Sequence, residues 1–231
     1  MKFRRIRKSF LAIGLFVIII YIGKGVLDDG FPLFNREFTS SKKVIVIDPG
    51  HGGKDPGTIG FNNTYEKDIN LDISKKLYKK LKSMDYKVIL TRETDEFVDN
   101  NDRADMTNKK GARVFVSIHC NAIENNNKIN GAQVLYYSNR ESTINDPDND
   151  VLARIILEEL IDGTGAVNKG IVDRPDLIVL NQTKMPAIVV ECGFLSNENE
   201  ERLLLTESYQ DKVVDSIIKG LEHYFNLNSG D

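Results

Sequence analysis

Apolar positions along the chain fall into two kinds of stretch. Short, nearly continuous runs, Val44 to Ile47 and Val114 to Ile118, are rich in Val, Ile and Phe and close on polar residues or glycine. That is the pattern of strands buried on both faces. Longer stretches carry a helical period. From Glu66 to Ser83, Ile69, Ile73, Leu77 and Leu81 recur at four-residue spacing while Lys75, Lys76, Lys79, Lys80 and Lys82 fill the opposite face. Val213, Val214, Ile217, Ile218, Leu221 and Phe225 mark a closing amphipathic helix. Between these, the pattern predicts a strand over Tyr86 to Thr91, a helix over much of Thr94 to Lys110 that Asn100 and Asn101 weaken, and a strand over Gly131 to Tyr137. It then predicts a helix over Val151 to Ile161 with Asp150 as its N-cap, and short strands over Leu177 to Leu180 and Ala187 to Glu191. Strands alternating with helices indicate an α/β fold with a mostly parallel sheet flanked by helices on both faces. The strand-end residues then meet at one edge.

The first residues read differently. Lys2, Arg4, Arg5, Arg7 and Lys8 precede Ser9 to Gly23, which hold no charge. A basic head before an apolar run is an export signal, and the absence of an A-x-A site favours an uncleaved membrane anchor over a signal peptide. Residues 1–27 are thus expected to be the signal or anchor segment, 28–42 a linker, and 43–228 a single catalytic domain. Everything beyond the anchor is expected outside the cytoplasm.

Charge sharpens this picture. Six of the thirty-one basic residues and none of the thirty-four acidic ones lie in the first 24 positions, which leaves the exported part at a formal −9. An acidic domain without basic clusters argues against a nucleic-acid partner and against bulk attraction to anionic wall polymers. No internal repeat or low-complexity tract is present, so no appended repeat module holds the chain to a polymer.

The candidate chemistry sits at the strand ends. Val44 to Asp48 runs into Pro49-Gly50-His51-Gly52-Gly53, and Val114 to Ile118 delivers His119. Two parallel strands that each end in an imidazole point to a metal site. A catalytic zinc commonly takes three protein ligands and keeps a fourth position for water. The third histidine, His223, stands beside Tyr224 and Phe225 at the end of the last helix and reads as an ordinary helix residue, so a third ligand should be a carboxylate. Asp48, Asp55, Glu66 and Asp68 are near enough, and Glu66 is best placed, although it could equally compensate the dipole of the helix it begins. Asp48 could orient an imidazole from behind, or cap its own turn. Glu191 ends the last apolar strand, where an unpaired buried carboxylate becomes useful beside an activated water. Cys120 and Cys192 each follow a candidate residue, so they should face away into packing. Arg92 and Arg103 could grip a substrate carboxylate or pair with Glu93, Asp99 and Asp102.

Taken together, Ile47-Asp48-Pro49-Gly50-His51-Gly52-Gly53, Glu66-Lys67-Asp68-Ile69-Asn70-Leu71, Thr91-Arg92, Arg103 with Asn108, Ser117-Ile118-His119-Cys120-Asn121-Ala122, Gly131-Ala132-Gln133, Met185-Pro186 and Glu191-Cys192-Gly193-Phe194-Leu195-Ser196-Asn197 resemble the zinc-dependent N-acetylmuramoyl-L-alanine amidases of the type 3 amidase family. The resemblance implies a six-stranded sheet, zinc (Zn2+) bound by His51, Glu66 and His119, and Glu191 as the catalytic carboxylate. It implies hydrolysis of the amide between N-acetylmuramic acid and L-alanine in peptidoglycan, with Arg92, Arg103 and Asn121 as candidate substrate contacts. The short form without wall-binding repeats is similar to the amidase with which spore-forming bacteria prepare cortex peptidoglycan, ahead of muramic-δ-lactam formation. That role would place the chain between forespore and mother cell. Alternative readings are a zinc peptidase acting within the stem peptide and a non-catalytic wall-binding module. Three side chains hold a zinc ion less firmly than four, so an accessory protein that aids metal retention is a further expectation.

Overall fold

The computed structural model describes residues 44–124, 126–138 and 148–227. The expected anchor and linker lie outside the described residues. The chain runs β1 (Val44–Pro49), α1 (Glu66–Ser83), β2 (Lys87–Leu90), α2 (Asn100–Lys109), β3 (Val114–Asn121), β4 (Ala132–Tyr136), α3 (Asn149–Thr164), β5 (Asn168–Asp173), α4 (Ile178–Asn181), β6 (Ala187–Phe194), α5 (Glu198–Leu204) and α6 (Glu207–Leu227).

The strands form one 6-stranded sheet in the order β2-β1-β3-β6-β4-β5. β2, β1, β3 and β6 are mutually parallel, β4 is antiparallel to β6, and β5 is parallel to β4. The expected α/β architecture is therefore present, with β1, β3 and β6 side by side at the centre. His119 and Glu191 are direct register partners across β3 and β6.

The two faces of this sheet differ. On one, Ile45, Ile47, Val114, Val116, Ile118, Ile188 and Val190 meet the buried stripes of α1, α3 and α6 in the main core. α6 alone turns Val213, Val214, Ile217, Ile218 and Leu221 inward, at roughly 1.5–3 kcal/mol of stabilisation each. The helices of this face approach closely: a Cβ built on Gly220 would lie 2.7 Å from Ile156 Cδ1. On the other face a smaller cluster, Val46, Phe115, Leu135, Val179, Leu180, Met185, Ala187 and Val189, lies beneath the short α4 and near α2. α2 itself buries only Arg103, Ala104 and Thr107. Alternation along the strands puts Asp48, Ser117, His119 and Glu191 on the same side as Val46, Phe115 and Val189, on this thinner face.

Some elements differ from the sequence reading. Leu177 to Leu180, expected as a strand, instead leads into the one-turn helix α4, since Leu177 accepts backbone bonds from Leu180 and Asn181. An apolar run of four residues has no period of its own to separate strand from helix. α3 begins at Asn149 with Asp148, not Asp150, at the N-cap position. The stretch Asn168-Lys169-Gly170 opens the edge strand β5, whose half-exposed residues carry no alternation. α5 is short and acidic, started by Asn197, whose side chain accepts the amides of Asn199 and Glu200.

Candidate metal centre

β1 stops where Pro49 and Gly50 release the chain into a tight loop, and His51 sits there at φ 59, a left-handed conformation rare outside glycine. Arg92 and Arg103 enforce it. Arg92 Nε donates to the Pro49 carbonyl (2.9 Å) and its Nη2 to those of Gly50 (2.9 Å) and Lys67 (2.8 Å). Arg103 donates through Nη1 to the Pro49 carbonyl (2.8 Å) and through Nη2 to that of His51 (2.7 Å). Arg103 also pairs with Asp48 at 2.6 Å, and Thr91 and Ser117 donate their hydroxyls to the same carboxylate.

The loop aims His51 at Glu66, the first residue of α1. Glu66 Oε2 lies 3.2 Å from His51 Nε2 and accepts the Thr58 amide, while Oε1 lies 2.9 Å from His119 Nδ1 and accepts from Asn70 Nδ2 and the Cys120 amide. Space is made by glycine: a Cβ on Gly50 would fall 2.2 Å from His119 Nε2, and one on Gly57 2.6 Å from both Glu66 Oε2 and the His51 ring. Behind His51, Nδ1 meets Asp55 Oδ2 at 2.8 Å, leaving Nε2 to face Glu66. Asp48 does not touch an imidazole; it acts on the loop through Arg103.

One donor atom from each of His51, Glu66 and His119 lies within 4.8 Å of the others, and among the described residues this is the one cluster able to hold a metal ion. Two nitrogens and one carboxylate oxygen are a donor set suited to zinc with a position left open. The carboxylate and the two imidazoles are strongly coupled to one another. Burial disfavours charge on His51, yet Glu66 and Asp55 draw its pKa up to about 9, and Glu66, against its own burial, is held well below the carboxylate range by the two rings. His119 is raised as well, by Glu66 over the opposing effect of burial. Beside them stands Glu191, whose Oε2 is buried without a hydrogen-bond partner. Burial pushes its pKa up to about 7, although the neighbouring His119 pulls it down. The residues fit a metal ion flanked by a carboxyl poised near neutrality.

The family model for N-acetylmuramoyl-L-alanine amidases matches residues 45–223. The chain belongs to this family. It is similar to the germination-specific N-acetylmuramoyl-L-alanine amidase of Bacillus subtilis, 31% identical with 91% of each chain covered. It is also 31% identical, over 85% of its length, to the amidase AmiC of Neisseria meningitidis serogroup B, and spans 56% of that longer protein. Among solved structures it resembles the CwlD amidase from Clostridioides difficile in complex with the GerS lipoprotein, at 36% identity and a TM-score of 0.72, covering 80% of this chain and 99% of that one.

The amidase cleft, about 210 Å³, is lined by His51, His119, Glu191, Asp55, Asn100 and Arg174, among others. Arg92 and Arg103, expected as substrate contacts, are each 2% exposed and direct their donors at backbone carbonyls and at Asp48. Asn121 ends β3 with its side chain accepting the amide of Ala122. Cys120 and Cys192 are free thiols buried on the thick face, Cys192 raised far above the ordinary thiol value by burial. His223 lies on α6, 3.9 Å from Glu159 and apart from the cleft. Two residues were not singled out from sequence. Asp55, one of four nearby carboxylates, turned out to be the His51 partner, and only its place four residues on in a glycine-rich loop hinted at this. Arg174, just after β5, had no sequence signal beyond the Pro175 turn beside it.

Proposed function

We propose that this amidase uses zinc, held by His51, Glu66 and His119, to hydrolyse the amide between N-acetylmuramic acid and L-alanine in peptidoglycan. The observation that carries this is Glu191 in register beside His119, its Oε2 buried and unpartnered next to the His51, Glu66 and His119 cluster. The ion, when bound, supplies Lewis acidity toward the scissile carbonyl and toward a water. Glu191 Oε2 takes the proton of the attacking water and returns it to the departing alanine nitrogen, which a carboxyl titrating near neutrality can do in both directions. Asp55 holds His51 in the tautomer with Nδ1 protonated and Nε2 free to bind. Arg92 and Arg103 keep the loop that carries His51 in its strained form.

Zinc content and release of L-alanine amino termini from purified peptidoglycan test this. Glu191→Gln should retain zinc at wild-type stoichiometry and lose about 10²–10⁴-fold in kcat. A variant with full activity would sink the assignment.

The likeness to a germination-specific amidase supports a role in spore cortex maturation, exerted outside the cytoplasm from an N-terminal anchor. Among the described residues no helix is long and apolar enough to cross a membrane; the anchor proposed here is residues 1–27, on the strength of their basic head and uncharged apolar run. The relative solved with a lipoprotein supports an accessory protein for this chain as well, and the three-side-chain donor set is the reason to assign that protein an aid to metal retention. Equal zinc occupancy for the purified chain and for the chain drawn from sporulating cells with its partners would refute that role.

A further inference from the structure

Of the two arginines that the sequence offered for substrate, Arg92 is turned to backbone carbonyls. Arg103, although it lines the cleft, has Nε, Nη1 and Nη2 engaged by the Val98, Pro49 and His51 carbonyls and by Asp48, so the cation with a donor to spare is a different one. Arg174 follows β5 and lines the same cavity as His51, His119 and Glu191. Its amide is fixed by the Tyr136 carbonyl at 2.7 Å. Its guanidinium is held from one side: Nε and Nη2 donate to the two oxygens of Asp176 at 2.8 and 2.7 Å. A guanidinium has two edges that can each grip a carboxylate in a fork. Asp176 occupies the Nε–Nη2 edge. The Nη1–Nη2 edge has no partner for Nη1 among the described residues, and the side chain is 40% exposed. Leu135, Leu177, Val179 and Val189 give the same cavity an apolar part of its lining, against which an entering carboxylate finds this guanidinium as its match.

We propose that Arg174 is a specificity-determining residue that binds the free carboxylate on the second residue of the stem peptide. The inference rests on the amidase reading above. In peptidoglycan the residue after L-alanine is a glutamate joined onward through its side chain, so its α-carboxylate stays free unless amidated. Two residues of extended chain span at most about 7 Å, so with the scissile amide beside Glu191 that carboxylate stays close to the site, whose cavity Arg174 also lines. Asp176 fixes the orientation of the fork and so lowers the entropy lost when the carboxylate docks.

The test compares two soluble muramoyl peptides that differ only at this group, isoglutamate and isoglutamine, with the zinc-loaded full chain. Wild type should favour isoglutamate by about 10- to 100-fold in kcat/KM, the scale of a charge-assisted bidentate contact. In Arg174→Gln the ratio should fall to about one, and Arg174→Lys should keep part of it. A wild-type ratio near one overturns the proposal, as does a ratio that Arg174→Gln leaves intact. A purely electrostatic influence of Arg174 on Glu191 would slow both substrates equally and keep the ratio, and so would also overturn it. Cleavage of neither substrate at the muramoyl–alanine bond by wild type would remove the amidase reading and this inference with it.

Discussion

His51, Glu66, His119 and Glu191 differ in how much help each needs from neighbours. His51 needs the most, because its backbone is left-handed and its ring depends on Asp55. Replacing Asp55 with Asn should weaken zinc binding about 10- to 100-fold, the usual effect of losing the partner behind a ligating imidazole, read by competition with a fluorescent chelator. Unchanged affinity would mean that the loop alone orients the ring. His119 depends instead on an absence: Gly50 leaves the volume that its Nε2 fills. Gly50→Ala should therefore lower metal affinity by displacing that ring while the far-ultraviolet circular dichroism stays unchanged; full zinc occupancy at wild-type affinity would contradict it. At this scale the site was largely legible. Imidazoles and a carboxylate at the ends of apolar runs announce themselves, because burial without purpose is costly there. The parts that stayed hidden act through space: Asp55 among several equivalent acids, and Arg174, which nothing in its own neighbourhood distinguishes from a surface arginine.

The elements owe their legibility to period. α1, with its stripe of large apolar residues, was legible to its ends, and α6 from Val213 onward although it begins at Glu207, whereas β5 and α5 lack a buried stripe and α4 is too short to show one. α2 is a different case, since its important residue is charged. Arg103 reaches from α2 to Asp48 on β1, both almost fully buried. Arg103→Met should lower unfolding stability by about 3–5 kcal/mol in urea denaturation, because Asp48 is left charged and buried. A loss below about 1 kcal/mol would mean that Thr91 and Ser117 suffice. Burial would raise the Asp48 pKa, but Arg103 and the hydroxyls of Ser117 and Thr91 overcome this and hold it below 3.8. A depressed folded-state value means that this stability is complete above the unfolded-state value and is lost as pH falls through the folded one. Stability of the wild type should therefore drop as pH falls below 3.8, and Asp48→Asn should flatten that limb.

For the whole molecule, residues 42–231 form one compact unit that contains every site residue. A fragment of that span should melt in one transition at the same temperature as the full chain and reach the same zinc occupancy; a lower melting temperature or occupancy than the full chain under the same conditions would show that the preceding segment contributes. Within this unit the large apolar helices cover one face of the sheet, while the chemistry occupies the other beneath α2 and α4, which bury few large side chains. Thinly packed elements open locally well before global unfolding. Backbone amides in α2 should thus exchange with deuterated solvent ahead of those in α3 and α6. Because Arg103 rides on α2 and grips the His51 carbonyl, each such opening also frees the loop. On warming, catalytic competence should fade several degrees below the temperature at which the helices of the opposite face give way.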